Sequence, residues 1–192
     1  MFCSCVNKCK AVLRRFKGVA FRILCFICYG TRVKFAGIPI LEKQISIMMF
    51  PSGSLKVGKN ISVRKNVEFR CSASLQIGDN CFFNNYCTIV STKGISIGND
   101  CLFGENVHIY DSNHIFYKQN TLIRDQGSSS KPIKIGNNVW IGTNVCVLKG
   151  ASIGDNSVIG ANCVVSSDIP ANSLVKSLQR SVEITPIKFR SI

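Results

Sequence analysis

Between Ile135 and Val165 the chain reads IGNNVWIGTNVCVLKGASIGDNSVIGANCVV, and the spacing of its aliphatic residues decides the fold. Ile135, Ile141, Val147, Ile153, Ile159 and Val165 recur every sixth position. The period also runs through Val57, Val63 and Phe69, then Ile77, Phe83 and Ile89, then Ile97, Phe103 and Ile109. A helix needs apolar spacings of three and four, and an antiparallel sandwich needs longer alternating runs, so neither fits. Glycine follows the anchor in eight of the 15 hexads, and the fifth position is Ala, Val, Ile or Cys in 12. That fifth residue and the next anchor lie two apart, on one face of an extended segment. The intervening Gly-Asn-Asn, Gly-Asp-Asn and Gly-Thr-Asn tripeptides tolerate positive φ and turn a corner. Each hexad is therefore a short strand plus a corner. Stacked hexads bury a column that no single one could bury, which predicts an all-β parallel β-helix of about five coils.

The repeat is interrupted three times. Two residues are inserted before Ile77 and two before Ile97, which a corner absorbs. From Tyr110 to Lys134 the pattern stops, and it resumes in register at Ile135. A long excursion from a rigid scaffold is usually functional or disordered. This one, the loop 110–134, holds His114 at its base, the last residue of the hexad that Ile109 opens.

Outside the repeat, charge and cysteine content bound the remaining choices. The chain has 192 residues and a formal net charge of +14, and eight of its cations (Lys8, Lys10, Arg14, Arg15, Lys17, Arg22, Arg32, Lys34) precede the first acid, Glu42. Such a segment suits an anionic surface, and no nucleic-acid motif accompanies it, so nucleic acid is not expected. The apolar run from Val19 to Tyr29 is too short to span a bilayer, and no small-residue cleavage site follows it. A helix over 11–29 with interspersed cations is expected to lie in a membrane interface; the alternative is a helix packed on the body. Eleven cysteines at irregular spacing, Cys25-x-x-Cys28 included, fit neither a disulfide framework nor zinc. Cys81, Cys87, Cys101 and Cys163 occupy fifth positions and read as core filler. No metal is expected, and a cytoplasmic location follows, with peripheral contact at the inner face of the cell membrane. The expected layout is an N-terminal helical segment (1–34), a β-helix body (35–170) and a tail (171–192).

The hexads, the loop and the run from Ile135 to Asn172 resemble the hexapeptide-repeat acyltransferases over about residues 57–175. Within that group the chain is similar to galactoside and maltose O-acetyltransferases, and more so to O-acetyltransferases of bacterial surface-polysaccharide clusters. The segments NNYCTIV, DSNH and NNVWIGTNV carry the likeness to acyl transfer, and IRDQG…KPIKIG with the basic N-terminus carries the likeness to the polysaccharide group. The resemblance implies a left-handed β-helix and a homotrimer whose active sites lie between subunits, with acetyl-coenzyme A as cosubstrate and a saccharide as acceptor. It implies that His114 is the general base, against the plain reading of a solvated loop histidine. That role is chemically coherent, because imidazole exchanges a proton near neutral pH and an acceptor hydroxyl attacks a thioester only as it loses its own. His108, six residues earlier, reads instead as a surface or subunit-contact residue.

By the same resemblance Asn84 belongs to the acceptor side, and Asp111, only by its nearness in sequence to His114, is expected to orient that histidine or bind the acceptor. Trp140, Thr143, Ala161 and Ser166 belong to the coenzyme. The match also has gaps. Ser166-Ser167-Asp168 replaces a usual Thr-Lys pair, and residues 177–181 replace Gly-x-Pro-x-Arg, which leaves Lys176 or Arg180 to meet the coenzyme phosphates. Ser91 and Thr92 stand where galactoside-type enzymes have two acids, so simple galactosides are a poor expectation. The expected activity is O-acetylation of a surface-polysaccharide precursor; the alternatives are N-acetylation of an amino sugar and a non-catalytic scaffold.

Overall fold

A computed structural model describes the backbone of residues 2–177, with side chains from Arg15 onward. It shows a parallel β-helix headed by one long helix, α1 (Phe2–Tyr29), and a short 3-10 turn, Gly30–Arg32. Three sheets form its sides. Sheet A stacks six strands from Val33–Phe35 to Ser152–Ile153, sheet B seven from Ile40–Leu41 to Leu174–Val175, and sheet C six from Ser46–Met49 to Val164–Val165. All pairing between coils is parallel and in register; Leu102–Phe103, for example, pairs with both Phe82–Phe83 and Trp140–Ile141.

The stack has about seven turns rather than five. The extra turn at the start carries Phe35, Leu41 and Ile47 at the same period of six, but its fifth positions are Pro39, Ile45 and Pro51 and no glycine follows an anchor. At the other end the chain is two residues short before Ile169, which still bridges Ile153, and Leu174–Val175 then pairs with Val158–Ile159. The body therefore extends from Val33 to Val175, slightly beyond the expected 35–170.

Corner chemistry explains the regularity. Among the described residues thirteen non-glycines have positive φ, and all but Asn120 sit at the fourth position of a hexad, three after its anchor. Asparagine tolerates this left-handed conformation better than other side chains, and its amide can bond locally. Here the amides also bond along the stack. Asn60 Nδ2 donates to Asn80 Oδ1 (3.0 Å) and Asn80 Nδ2 to Asp100 Oδ1 (2.8 Å). On a second edge Asn106 donates to Asn144 (2.9 Å) and Asn144 to Asn162 (3.1 Å). The glycine after the anchor serves close approach: a Cβ on Gly78 would stand 2.6 Å from the Gly98 carbonyl oxygen one coil on.

Inside, the anchors form a continuous column. Phe83 and Phe103 stack at 4.6 Å between centroids, with Phe69 edge-on to Phe83 at 5.6 Å. Cys81, Cys87, Cys101 and Cys163 are buried among them. Helix α1 closes the first coil. Its Gly18, Phe21, Cys25 and Tyr29 face the body, and Tyr29 Oη donates to the Ile47 carbonyl at 2.8 Å.

Candidate active site

The excursion 110–134 is a built structure rather than an open loop. Ser112–His114 and Ser128–Ser130 form an antiparallel hairpin in which His114 faces Ser128. Beyond it, the buried Gln126 ties the tip together. Its Nε2 donates to the carbonyls of Lys118 (3.2 Å) and Thr121 (2.8 Å), and its Oε1 accepts from Lys118 N (2.8 Å). Lys149, in the next coil, donates from Nζ to Ser129 Oγ and so holds the returning strand to the stack.

The two histidines differ in kind. His108 is half-buried and satisfied at both nitrogens: Nε2 meets Asn106 Oδ1 at 3.0 Å, Nδ1 meets Tyr110 Oη at 3.3 Å, and the Tyr110 ring lies parallel at 5.8 Å. Burial pushes the Tyr110 phenol above its ordinary pKa, which keeps it a donor to that imidazole. His114 is exposed on the hairpin, and its imidazole has no hydrogen-bond partner among the described residues. Of the two, only His114 has an imidazole open to an incoming proton.

Asp111 does not sit as expected. It is fully buried, and its carboxylate accepts three backbone hydrogen bonds, from Thr92 N (2.7 Å), Lys93 N (2.8 Å) and Gly94 N (2.8 Å). A carboxylate used in this way reaches neither an acceptor nor His114; it fixes the root of the excursion. Ser91 is also internal, donating from Oγ to the Ser74 carbonyl at 2.8 Å.

The remaining candidates fall on two edges. Asn84, Thr143 and Ala161 stack on the edge between sheets B and C, where Asn84 Oδ1 accepts from Asn85 N at 2.9 Å and Thr143 O from Asn162 N at 2.9 Å. Trp140 stands on the outer face of sheet B, 54% exposed between Leu102 and Val158. His114 and Ser166 lie on the other edge, between sheets C and A, and Arg180 lies outside the described residues. The sheet C strand between the two edges spans about 13 Å, so one chain does not bring Asn84 to His114.

Two residues escape a reading of the sequence for chemistry. Gln126 gives no signal, because a lone glutamine in a polar loop has no pattern. Tyr86 does give one: it takes the left-handed position (φ 64°) that other hexads give to Asn, Asp or, once, Gln44, and it is 57% exposed beside Asn84. A bulky aromatic held there is the kind of local strain that clusters at binding sites.

Known proteins share the repeat and the fold. Residues 132–167 match the family description "Bacterial transferase hexapeptide (six repeats)", and residues 75–110 match "Hexapeptide repeat of succinyl-transferase". The galactoside O-acetyltransferase of Escherichia coli (strain K12) is 63% identical over 43 residues, 22% of this chain and 21% of that protein. The matched stretch is thus about a fifth of that relative's length. A solved N-acyltransferase from Bacillus cereus, in complex with dTDP and coenzyme A, shares the fold at 16% identity and a TM-score of 0.66, over 84% of this chain and 87% of that one. A hexapeptide-repeat-containing acetyltransferase from Vibrio cholerae is 21% identical with a TM-score of 0.50, over 89% and 82%.

Proposed function

Since the chain is a hexapeptide-repeat protein similar to acetyltransferases, we propose that it transfers an acetyl group from acetyl-coenzyme A to a sugar hydroxyl, with His114 as general base. The observation that carries this is the contrast between the histidines. One is satisfied at both nitrogens on the outer face of the stack, and the other is held bare on a braced hairpin. A scaffold would have no use for the bracing by Asp111, Gln126 and Lys149.

Acetyl-coenzyme A supplies an activated acyl thioester, and the residues present suit it in part. Trp140 offers an apolar wall, and Thr143 and Ala161 expose their corners on the neighbouring edge for an extended chain to follow. Lys176 is exposed and cationic near the last coil, where phosphates would need a partner. The unpaired His114 nitrogen takes the acceptor's proton as its oxygen attacks the acyl carbon, and the thiolate leaves with little help. Ser128, opposite His114, and the excursion above it shape the acceptor pocket.

A homo-oligomer, with three copies as the expected number, follows from two further features. Asn84 and His114 stand on opposite edges of one chain, so a site that uses both requires a second copy. The outer face of sheet B also presents Phe82, Leu102, Trp140, Val158 and Leu174 in one row, an apolar stripe that a neighbour would cover. The acceptor class we infer is a surface-polysaccharide precursor carried on lipid, in keeping with the basic N-terminal segment.

Coenzyme A release should be followed with a panel of oligosaccharides and their amino-sugar counterparts, with His114→Ala beside the native chain. Hydroxyl acceptors should support turnover, and the variant should lose 10²–10⁴-fold in kcat, the range for a general base. Its melting temperature should stay put because the side chain is exposed. Turnover indifferent to His114 would overturn the assignment, and activity confined to amino sugars would move it to nitrogen.

A further inference from the structure

Helix α1 is built the wrong way round for a helix that only caps a protein. A surface helix buries its apolar stripe and turns polar residues to water. Here the buried side holds Gly18, Phe21, Cys25 and Tyr29, and the helix lies so close that a Cβ on Gly18 would stand 2.0 Å from the Pro39 carbonyl oxygen. The opposite side is apolar as well. Phe16 (71% exposed), Val19, Ile23, Leu24, Phe26 and Ile27 (73%) are all exposed there, with Val19, Ile23 and Phe26 flanking the body. At 100° per residue they sweep an arc of about 160°. Arg15 and Arg22 line one border of that arc and Lys17 the other.

Charge selects what covers this face. No acid precedes Glu42, so two copies meeting through α1 would set their cations against each other. An anionic lipid surface instead takes the apolar arc into its acyl boundary while the flanking cations reach the headgroups. Beside the arc lies a groove of about 460 Å³ lined by Val19, Ile23, Phe26, Val33, Phe35 and Ile38, whose only charged lining residues are Arg22 and Lys34. It suits an acyl chain with an anionic head.

We propose that α1 is an interfacial helix that seats the protein end-on on an anionic lipid surface, with the β-helix rising from it. Because the helix stoppers the first coil, the geometry also fixes a height. His114 follows the fourth strand of sheet C, so three strand spacings plus the helix layer place it on the order of 20 Å above the lipid boundary. The seat stands independently of the acetyl-transfer reading. If both hold, the acetylated sugar is one that projects well beyond the lipid phosphate.

The test uses the full chain and vesicles of phosphatidylglycerol with phosphatidylcholine, against phosphatidylcholine alone. Cosedimentation should be at least tenfold stronger with the anionic vesicles, should weaken in high salt, and should fall at least tenfold in Ile23→Glu and Ile27→Glu. Both positions are exposed, so melting of the stack should be unchanged. The orientation is read with brominated lipids, since Trp140 is the chain's single tryptophan and lies in the fifth coil. Trp140 should escape quenching, while Ile27→Trp in a Trp140→Phe background should be quenched. Failure to bind anionic vesicles, or a lipid-independent doubling of mass that Ile27→Glu abolishes, would overturn the seat. Strong quenching of Trp140 would overturn the end-on orientation. None of these readouts depends on turnover.

Discussion

Asp111 and Ile133 meet on one residue of the coil below. Asp111 Oδ2 accepts the Gly94 N–H at 2.8 Å, and the Gly94 carbonyl accepts the Ile133 N–H at 3.0 Å. The residue where the chain leaves the stack and the residue where it returns are thus fixed to the same corner. Lys131 N closes the arrangement by donating to the Asp111 carbonyl at 2.9 Å. His114, three residues from Asp111, inherits its position from that corner.

Removing the Asp111 carboxylate should therefore act through structure. Asp111→Ala leaves three N–H groups without their charged acceptor and should cost about 3 kcal/mol or more, while Asp111→Asn should cost roughly 1–2 kcal/mol. Urea unfolding measures both. Activity should fall with the population of ordered hairpin, so hydrogen exchange at residues 92–94 should rise together with the loss of kcat.

Gln126 should separate the pocket from the stack. Gln126→Ala removes three hydrogen bonds that are local to the excursion. Global melting should shift little, amide exchange across residues 118–127 should quicken, and KM for the acceptor should rise more than KM for acetyl-coenzyme A.

Gly78→Ala should test the close spacing of the coils. The added methyl would meet the Gly98 carbonyl carbon and oxygen at 2.6 Å and the Asn99 Oδ1 at 2.4 Å. Backbone does not yield as a flexible side chain does, so the cost should be about 1–3 kcal/mol in a urea titration. The same change at Gly127, where nothing lies within 4 Å, faces only its positive φ (83°) and should act locally in the excursion.

The buried thiols predict an alkaline limit. Burial pushes Cys71 up to about 12 and Cys87 up to about 11. Thiols in an unfolded chain ionise near 8.5, so above that pH the unfolded state releases protons that the folded state keeps. Stability should be level below about pH 8.5 and should fall as pH rises towards 11–12, by at most on the order of 1 kcal/mol per thiol per pH unit. Urea midpoints at pH 7, 9 and 10.5 read the slope, and Cys71→Val should flatten it.

Much of this was legible in the sequence because a β-helix writes its geometry as a period. The anchors, the asparagine corners and the inward cysteines each follow from spacing two or six. The first coil was hidden because Pro39 and Pro51 replace the usual fifth residues and no glycine follows an anchor, and the last because the chain drops two positions before Ile169. The edge assignments were implicit in the repeat, since three hexads make one turn and place Asn84 and His114 on different corners. What no spacing reveals is long-range use of a polar group. Asp111 reads as a site acid until its carboxylate is seen facing residues 92–94, and the outward apolar arc of α1 appears only once the packed side is known.

Sheet A passes from Ile95–Ile97 to Ile133–Ile135 in unbroken register, as though the excursion between Asp111 and Lys131 were absent. Energetically the excursion is a side branch whose ends are already pinned. The entropy of closing such a branch grows only with the logarithm of its length, about 0.6 kcal/mol for each doubling. Insertions, trims or wholesale grafts between Asp111 and Lys131 thus leave the stack almost untouched while remaking the surface around His114. On the proposed function, acceptor choice can be remade there while the scaffold stays fixed.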